Sequence, residues 1–274
     1  MTAGGRNLVV RTCELPIRGS WENCMEMAVK AITIAPHPDV AVLPELFTIG
    51  FALERMRVAA LDPSDLPALP LAGVARECGM WVLGGSFPVR KPEGIVNTMP
   101  VYSPAGELVH TAEKIHLFKC MDEHTAFIGG SPSGLFRING IPAGASVCYD
   151  LRFPEVFRDL TLEGALILFV AAQWPLQRRK VFRCLLQARS AEAQVFTVGC
   201  NLGGDHLGSR FRGGGGVCAP SGEFLKGRIA AAGVTDYELD MTLVAQERRR
   251  INCLADRRPE VYGTEGRSFN ETGI

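Results

Sequence analysis

The sequence has no excess of charge of either sign, because 29 lysine and arginine residues balance 29 aspartate and glutamate residues. Nucleic acids and anionic membranes attract proteins through surplus basic residues, so neither is an expected partner. Long hydrophobic runs are also missing, and the longest, residues 165–172, is far too short to cross a bilayer. The first ten residues show no signal-peptide pattern, and we therefore expect a cytoplasmic protein.

Cysteine is present but lacks the spacing of a disulfide framework or a zinc site. The nine cysteines are an odd number, and no two of them form a Cys-x-x-Cys pair. We expect mostly buried structural thiols in a reducing compartment. Hydrophobic residues make up 47% of the 274 residues, enough for a large core without cross-links. We expect one domain over residues 1–274.

Predicted strands and helices alternate along the chain, with hairpins between them. The predicted helices are 21–34, 66–78, 154–163 and 177–193. The predicted strands are 8–13, 40–43, 81–87, 97–102, 107–113, 143–148, 165–171 and 195–200, with hairpin-like segments at 214–219, 223–226 and 234–240. This order indicates an α/β layered fold with a mixed sheet. The two strand–helix–strand halves fit two sheets packed face to face with helices outside.

Cys148 lies where a predicted apolar strand ends and a helix begins near Pro154. Backbone N–H groups at such a turn point at the side chain, where they stabilise an oxyanion and lower a thiol pKa. Both effects suit a cysteine nucleophile in acyl transfer. The alternative interpretation is a buried structural cysteine, the usual state of this residue type.

Three charged residues are further candidates. Glu45 follows a buried strand, where a carboxylate faces a crevice with a raised pKa, as a general base requires. Lys114 ends a hairpin strand, where an ammonium stabilises a tetrahedral oxyanion. Glu123 lies in a polar loop, and loops often carry function. The alternatives are a helix-start carboxylate for Glu45, a solvated edge charge for Lys114 and surface solvation for Glu123.

The order and contexts of these residues resemble the nitrilase, or carbon–nitrogen hydrolase, superfamily. The segments that carry the resemblance are 44–45, 113–117 and 148–155, which are highly specific as a set. It continues through residues 173–175, 187–194, 198–201, 220–223 and 256–262, and so covers nearly the whole chain. The chain departs from common family patterns at 191–194, 201–204 and the glycine run 213–216. These departures bear on the shape of the pocket rather than on the chemistry.

The resemblance implies a four-layer α-β-β-α sandwich of two mixed sheets, usually assembled into a homodimer or higher homo-oligomer. It implies a catalytic triad of Glu45, Lys114 and Cys148, with Glu123 helping to position the substrate. Tyr149 gives its backbone N–H to the oxyanion hole in this pattern, and Trp174 contacts the substrate. The implied reaction passes through a cysteine thioester and requires neither a metal nor an organic cofactor.

Within the superfamily, residues 148–153 and 173–175 look most like the omega-amidase branch. The implied substrate is a small carboxamide, the ω-amide of a dicarboxylic acid such as α-ketoglutaramate, which releases ammonia. A carboxylate substrate needs a basic anchor, and Arg152 and Arg178 are nearby in sequence, but a structural or interface ion pair is the preferred interpretation of both. Hydrolysis of N-carbamoyl amino acids or deaminated glutathione are the alternatives, and nitrile hydrolysis is less expected.

Two other classes of protein stay open. A papain-like peptidase pairing Cys148 with His206 fits poorly, because the cysteine lies in mid-chain. A catalytically silent interaction protein on the same scaffold is the second, although all three triad residue types are present. The glycine run 213–216 follows no strand–helix phosphate-binding pattern and predicts a flexible loop or a close approach of backbones.

Overall fold

The computed structural model describes residues 7–262. The expected single domain and the expected lack of a signal peptide also concern residues 1–6 and 263–274, which lie outside the described residues. Among the described helices, none combines the length and the apolar character needed to span a membrane.

Two main sheets and one small ribbon hold the strands. The described strands are β1 (Asn7–Cys13), β2 (Val40–Val42), β3 (Trp81–Leu83), β4 (Phe87–Lys91), β5 (Gly94–Tyr102), β6 (Leu108–Glu113), β7 (Phe136–Ile138), β8 (Ile141–Val147), β9 (Ile167–Ala172), β10 (Phe196–Asn201), β11 (Gly203–His206), β12 (Ser209–Arg212), β13 (Gly216–Cys218), β14 (Arg228–Ala231) and β15 (Val234–Asp240). The eight-stranded sheet runs β14-β15-β1-β2-β3-β5-β4, with β6 also paired to β5. The five-stranded sheet runs β13-β10-β9-β8-β7, and β11 and β12 form the ribbon.

Both main sheets are mixed, as the sequence predicts. In the eight-stranded sheet β1 pairs parallel with β2 and antiparallel with β15. In the five-stranded sheet β9 pairs parallel with β8 and β10, while β13 pairs antiparallel with β10. The last long strand of the described chain therefore lies directly beside the first.

The described helices are α1 (Trp21–Ile32), α2 (Leu53–Val58), α3 (Pro70–Cys78), α4 (Pro154–Leu162), α5 (Arg179–Ala193), α6 (Thr242–Arg250) and α7 (Pro259–Tyr262). Two of these helices, α1 and α3, have clear capping residues at one end. The Ser20 hydroxyl accepts the backbone N–H of Asn23 at the start of α1. Gly79 ends α3 in the left-handed conformation, which glycine adopts without strain.

The two main sheets pack face to face around one core, with helices on both outer faces. Val10 of the eight-stranded sheet and Phe169 of the five-stranded sheet belong to the same buried cluster. Phe182 of α5 joins this cluster from the outer face of the five-stranded sheet. Met25 of α1 and Leu71 of α3 belong to a second cluster on the outer face of the eight-stranded sheet. The layers are therefore α-β-β-α, as expected.

The predicted helix 66–78 is wrong over its first turn. Residues Pro63–Ala68 form a 3₁₀ helix, and Leu69 is extended before α3 begins at Pro70. Proline disfavours the helical conformation of the residue before it, so one continuous helix cannot pass through this point.

The predicted strand 81–87 is divided into β3 and β4 by residues 84–86. Gly85 has a left-handed φ of 68°, and a Cβ there would overlap the carbonyl oxygen of Pro44. The hairpin-like segment predicted at 223–226 folds back onto β13, because Phe224 forms an antiparallel bridge with Cys218 and the Leu225 N–H donates to the Val217 carbonyl oxygen.

A buried ion pair ties β1 to β15. The Arg11 guanidinium has no exposed surface, and its Nε and Nη2 donate to the two carboxylate oxygens of Asp236 at 2.7 and 3.0 Å. Its remaining N–H groups donate to the backbone carbonyls of Ile32, Ile34 and Pro36. This one side chain therefore joins the first strand, the end of α1 and the last strand.

Candidate active site

The ends of three strands bring Glu45, Lys114 and Cys148 together. Glu45 follows β2, Lys114 directly follows β6, and Cys148 directly follows β8. Glu45 and Lys114 have no exposed surface, and Cys148 is 7% exposed. Lys114 is thus not a solvated edge charge, and Glu45 precedes a turn rather than a helix.

Lys114 is held between two carboxylates. Its Nζ lies 2.8 Å from Glu45 Oε1 and 2.8 Å from Glu123 Oε1. Burial alone would lower the pKa of this amine, but the carboxylates of Glu45 and Glu123, together with Cys148 when it is ionised, raise it above its ordinary value. The side chain is therefore a fixed ammonium in a dry environment, where its charge acts strongly on a neighbouring oxygen.

The two oxygens of Glu45 have different surroundings. Oε1 accepts hydrogen bonds from Lys114 Nζ at 2.8 Å and from Asn97 Nδ2 at 2.9 Å. Oε2 is buried and has no hydrogen bond of standard geometry within residues 7–262, while the Cys148 thiol lies within hydrogen-bonding reach of the carboxyl group. Burial raises the pKa of Glu45, as predicted, and Glu123 adds to this while Lys114 opposes it.

Cys148 begins a 3₁₀ turn, Cys148–Arg152, in a strained backbone conformation with a φ of 50°. Burial and the neighbouring Glu45 carboxylate raise the pKa of its thiol well above the ordinary value. Lys114 and the backbone N–H of Gln173 act in the opposite direction without reversing it. The expectation of a lowered thiol pKa at this turn is therefore wrong for the resting protein, because burial outweighs the nearby donors.

Glu123 is buried rather than solvated at the surface. It opens a short 3₁₀ turn, Glu123–Thr125, and has no exposed surface. Besides Lys114, its carboxylate accepts the backbone N–H of Phe118 at 2.6 Å through Oε2. The structure therefore brings this residue to the same cluster as Glu45, Lys114 and Cys148.

Asp150 and Asn97 contribute to the site but were not candidates in the sequence. The buried Asp150 carboxylate accepts the backbone N–H groups of Ile115, His116 and Val147 at 3.2, 2.8 and 3.3 Å. It thus joins the segment after Lys114 to the turn that carries Cys148. Asn97 is fully buried within β5. The sequence signal that could have identified it is a polar residue within an otherwise apolar strand.

A cavity of about 360 Å³ opens onto Cys148. Four of its eleven lining residues are aromatic, and they include Tyr149 and Trp174, the two residues predicted to bind substrate. The other residues lining this cavity are Phe51, Phe118, Cys120, Met121, Arg152, Gln173, Pro175 and Arg178. This size and mixture of apolar walls with a few polar groups is typical of small-molecule sites.

Arg152 and Arg178 both line this cavity and are exposed. The Arg152 guanidinium lies 5.0 Å from the centre of the Trp174 ring. Neither arginine has a carboxylate partner within residues 7–262, which contradicts the predicted structural ion pair inside the chain. Two basic groups without a partner therefore face the space in front of the thiol.

His206, the residue that a peptidase interpretation pairs with Cys148, lies elsewhere. It belongs to β11, and its ring lies against Gly50. It is not among the residues that line the cavity, nor among those that perturb the Cys148 thiol. Among residues 7–262, no group of three or more His, Cys, Asp or Glu side chains is arranged to hold a metal ion.

Comparison with known sequences identifies the protein family that this chain matches. Carbon–nitrogen hydrolases match residues 13–249. A 2-oxoglutaramate amidase of Bacillus subtilis is 35% identical over 226 residues, covering 82% of this chain and 87% of that protein. Omega-amidase YafV of Escherichia coli K12 is 35% identical over 220 residues, covering 80% of this chain and 84% of that protein.

Solved structures share the fold. A CN-hydrolase superfamily protein of Xanthomonas campestris superposes with a TM-score of 0.84 at 24% identity, covering 92% of this chain and 98% of that one. Saccharomyces cerevisiae Nit3, of branch 10 of the nitrilase superfamily, gives a TM-score of 0.79 at 21% identity, covering 90% and 94%. The predicted four-layer sandwich is thereby confirmed.

Proposed function

This chain belongs to the carbon–nitrogen hydrolase family and is an amidase, and from that premise we propose that it releases ammonia from the ω-amide of a small dicarboxylic acid. The observation that carries the proposal is the cluster of Glu45, Lys114 and Cys148, whose cysteine lines a cavity together with two arginines that have no carboxylate partner within residues 7–262. The 2-oxoglutaramate amidase and omega-amidase among its relatives act on this substrate class by name.

The reaction begins with proton transfer from the Cys148 thiol to Oε2 of Glu45. The raised pKa of the thiol leaves it protonated at rest, so a base beside it is required. The sulfur then attacks the amide carbonyl carbon and forms a C–S bond. The electron pair of the carbonyl moves to its oxygen, where Lys114 Nζ and the Tyr149 backbone N–H stabilise the negative charge.

In the second half of the proposed reaction, Glu45 passes on the proton that it took from Cys148. Glu45 gives it to the amide nitrogen, the C–N bond breaks, and ammonia leaves a thioester on Cys148. A water molecule loses a proton to Glu45, attacks the thioester carbon and releases the carboxylic acid, and the thiol recovers its proton. The raised pKa of Glu45 suits this repeated exchange, because a carboxyl that titrates nearer to neutrality both accepts and donates protons readily.

Glu123 acts as a positioning residue in this scheme. Its carboxylate accepts a hydrogen bond from Lys114 Nζ at 2.8 Å. Its second oxygen is fixed by the Phe118 N–H, so the ammonium is oriented before the substrate arrives.

Arg152 and Arg178 bind the free carboxylate of the substrate in this proposal. A guanidinium pairs with a carboxylate through two parallel hydrogen bonds, and both groups line the cavity without a competing acid in the described chain. The N-carbamoyl and deaminated-glutathione alternatives are less favoured, because amidases of ω-amides stand among the relatives.

Ammonia release over a matched panel tests this proposal. The panel holds 2-oxoglutaramate, glutaramate, an N-carbamoyl amino acid, a nitrile and pentanamide, which has the length of glutaramate without its carboxylate. We expect the two ω-amides to be the best substrates and Cys148→Ala to abolish their hydrolysis. Arg152→Met should raise KM for glutaramate about tenfold or more while leaving pentanamide unaffected. Activity on nitriles only, or on none of the panel, contradicts the assignment.

The assembly and the compartment are part of the same proposal. We propose a homodimer or higher homo-oligomer, as the resemblance to the family implies. We also propose a cytoplasmic location, in keeping with nine cysteines that are all free in the structure.

A further inference from the structure

A second cavity of about 220 Å³ lies behind the turn that carries Cys148. No residue lines both cavities: Tyr149 lines the first, and Asp150 lines the second. The second cavity lies between β8, α4 and residues 132–134. It has no part in the reaction proposed above.

Five acidic side chains line this second cavity and no basic one does. Glu113 already pairs with Lys91, and Asp150 accepts the backbone N–H groups described above. The side chains of Glu155, Asp159 and Glu163 are exposed and have no hydrogen-bond or ion-pair partner within residues 7–262. They are spaced four residues apart along α4 and its C-terminal cap, where like charges repel each other.

A buried hydroxyl without a partner points to a missing ligand. Ser146 of β8 lines the cavity and is 3% exposed. Its Oγ has no hydrogen-bond partner in the described chain. Gly144, two residues earlier and on the same face of the strand, faces Leu160 of α4, which places Ser146 on the side of the acids. An unsatisfied buried hydroxyl costs free energy, which a bound donor recovers.

We propose that this cavity binds a small aliphatic amine, such as a diamine or polyamine, through its ammonium group. An alkylammonium presents three N–H donors and a positive charge, which match two carboxylates and one hydroxyl. Val156, Leu160 and Ile115 supply apolar walls for an alkyl chain. A metal ion fits less well, because the acids are not grouped closely enough to coordinate one.

Isothermal titration of the full chain with 1,5-diaminopentane tests the site. We expect one bound amine per chain, with a Kd in the millimolar range or tighter. The diol 1,5-pentanediol, which has the same length without charge, should not bind, and neither should magnesium chloride alone. Glu155→Gln combined with Asp159→Asn should weaken binding about tenfold or more, and Ser146→Ala about threefold or more.

A charge-matched variant separates the site from general surface charge. Glu77→Gln combined with Glu107→Gln removes two exposed acids far from the cavity lining, and should leave the Kd unchanged. The proposal is overturned if no amine binds, if this control weakens binding as much, or if the diol or magnesium binds equally well. Analytical ultracentrifugation tests the remaining alternative. If Glu155→Gln combined with Asp159→Asn changes the assembly state and no amine binds, the acids pair with a lysine of another copy and the proposal is wrong.

Discussion

At the scale of single residues, the defining feature of the active site is that its buried acidic groups outnumber its one buried basic group. One ammonium, Lys114, faces two carboxylates, Glu45 and Glu123, and a thiol. Ionising Cys148 as well would leave three negative charges around one positive charge. Glu45 and Cys148 therefore retain one proton between them rather than losing it to water. Their two titrations are coupled, so neither pKa belongs to one residue alone.

Glu45→Gln is expected to remove activity and increase stability. Ammonia release should fall by a factor of about 10² or more, because the base and acid of the reaction is lost. The free energy of unfolding at pH 8 should rise by about 1 kcal/mol, since active-site residues often cost stability. The pKa of Glu45 is raised in the folded protein. Its protonated form thus stabilises the fold below the ordinary pKa of 4.5, and this contribution is lost as pH rises.

Urea unfolding of both proteins at about pH 4 and at about pH 8 measures this difference. Because glutamine mimics the protonated carboxyl, the gain should shrink as pH falls. A variant less stable than the parent at pH 8 would show instead that attraction to Lys114 exceeds the cost of burial.

The sequence predicted which charged residues and which cysteine form the candidate site, but not all of the residues that hold them in place. Glu45, Lys114, Cys148 and Glu123 were predicted through their order and contexts, and the structure brings all four together. Asn97 and Asp150 were not chosen, because most of their partners lie in segments that are distant in the sequence. Arg152 and Arg178 were interpreted as ion pairs, since sequence gives no direction for a long flexible side chain.

At the scale of secondary-structure elements, long apolar strands could be predicted from the sequence, whereas short or polar strands could not. The long buried strands β1, β8, β9 and β10 were found within two residues of their bounds. The β11–β12 ribbon was missed, because its residues are polar, glycine-rich and without alternation. The short strand β7 was missed for lack of length, since a run of three residues carries no measurable period.

The glycine run 213–216 is a close approach of backbones, one of the two interpretations of its sequence. The half-buried Glu14 carboxylate accepts the backbone N–H groups of Gly214 and Gly215 at 3.3 and 2.7 Å. A Cβ on Gly215 would overlap the carbonyl oxygen of Gly199 in β10. A side chain at this position would therefore push the loop away from the sheet.

Gly215→Ala is expected to lower the free energy of unfolding by about 2 kcal/mol or more, because backbone atoms must move. Gly73→Ala is the matched control, since a Cβ there meets nothing within 4 Å inside α3. It should raise stability by about 1 kcal/mol through helix propensity alone. Urea denaturation followed by far-ultraviolet circular dichroism measures both, and equal effects of the two substitutions would contradict the steric explanation.

At the scale of the whole molecule, one buried ion pair connects regions 225 residues apart in the chain. Arg11→Met leaves Asp236 with only the exposed Arg228 among the described residues and removes the donors of three carbonyls. We expect the free energy of unfolding to fall by about 3–5 kcal/mol, the usual loss when one member of a buried pair is removed.

The control for this substitution is Lys30→Met. Its partner is Glu26, and the two side chains are 73% and 62% exposed, so the loss should stay below about 0.5 kcal/mol. Chemical denaturation at one pH compares the two variants. If Arg11→Met costs no more than Lys30→Met, the connection between the first and last strands carries no stability.

The adjacency of β1 and β15 also has a consequence for biosynthesis. Translation produces β1 first, yet one side of that strand has no neighbour until residues 234–240 have left the ribosome. During most of synthesis the nascent chain exposes an open row of amide and carbonyl groups, which is a template for pairing with other chains. The eight-stranded sheet can thus be completed only after β15 has been made, and products that terminate before residue 234 are the species most prone to aggregate.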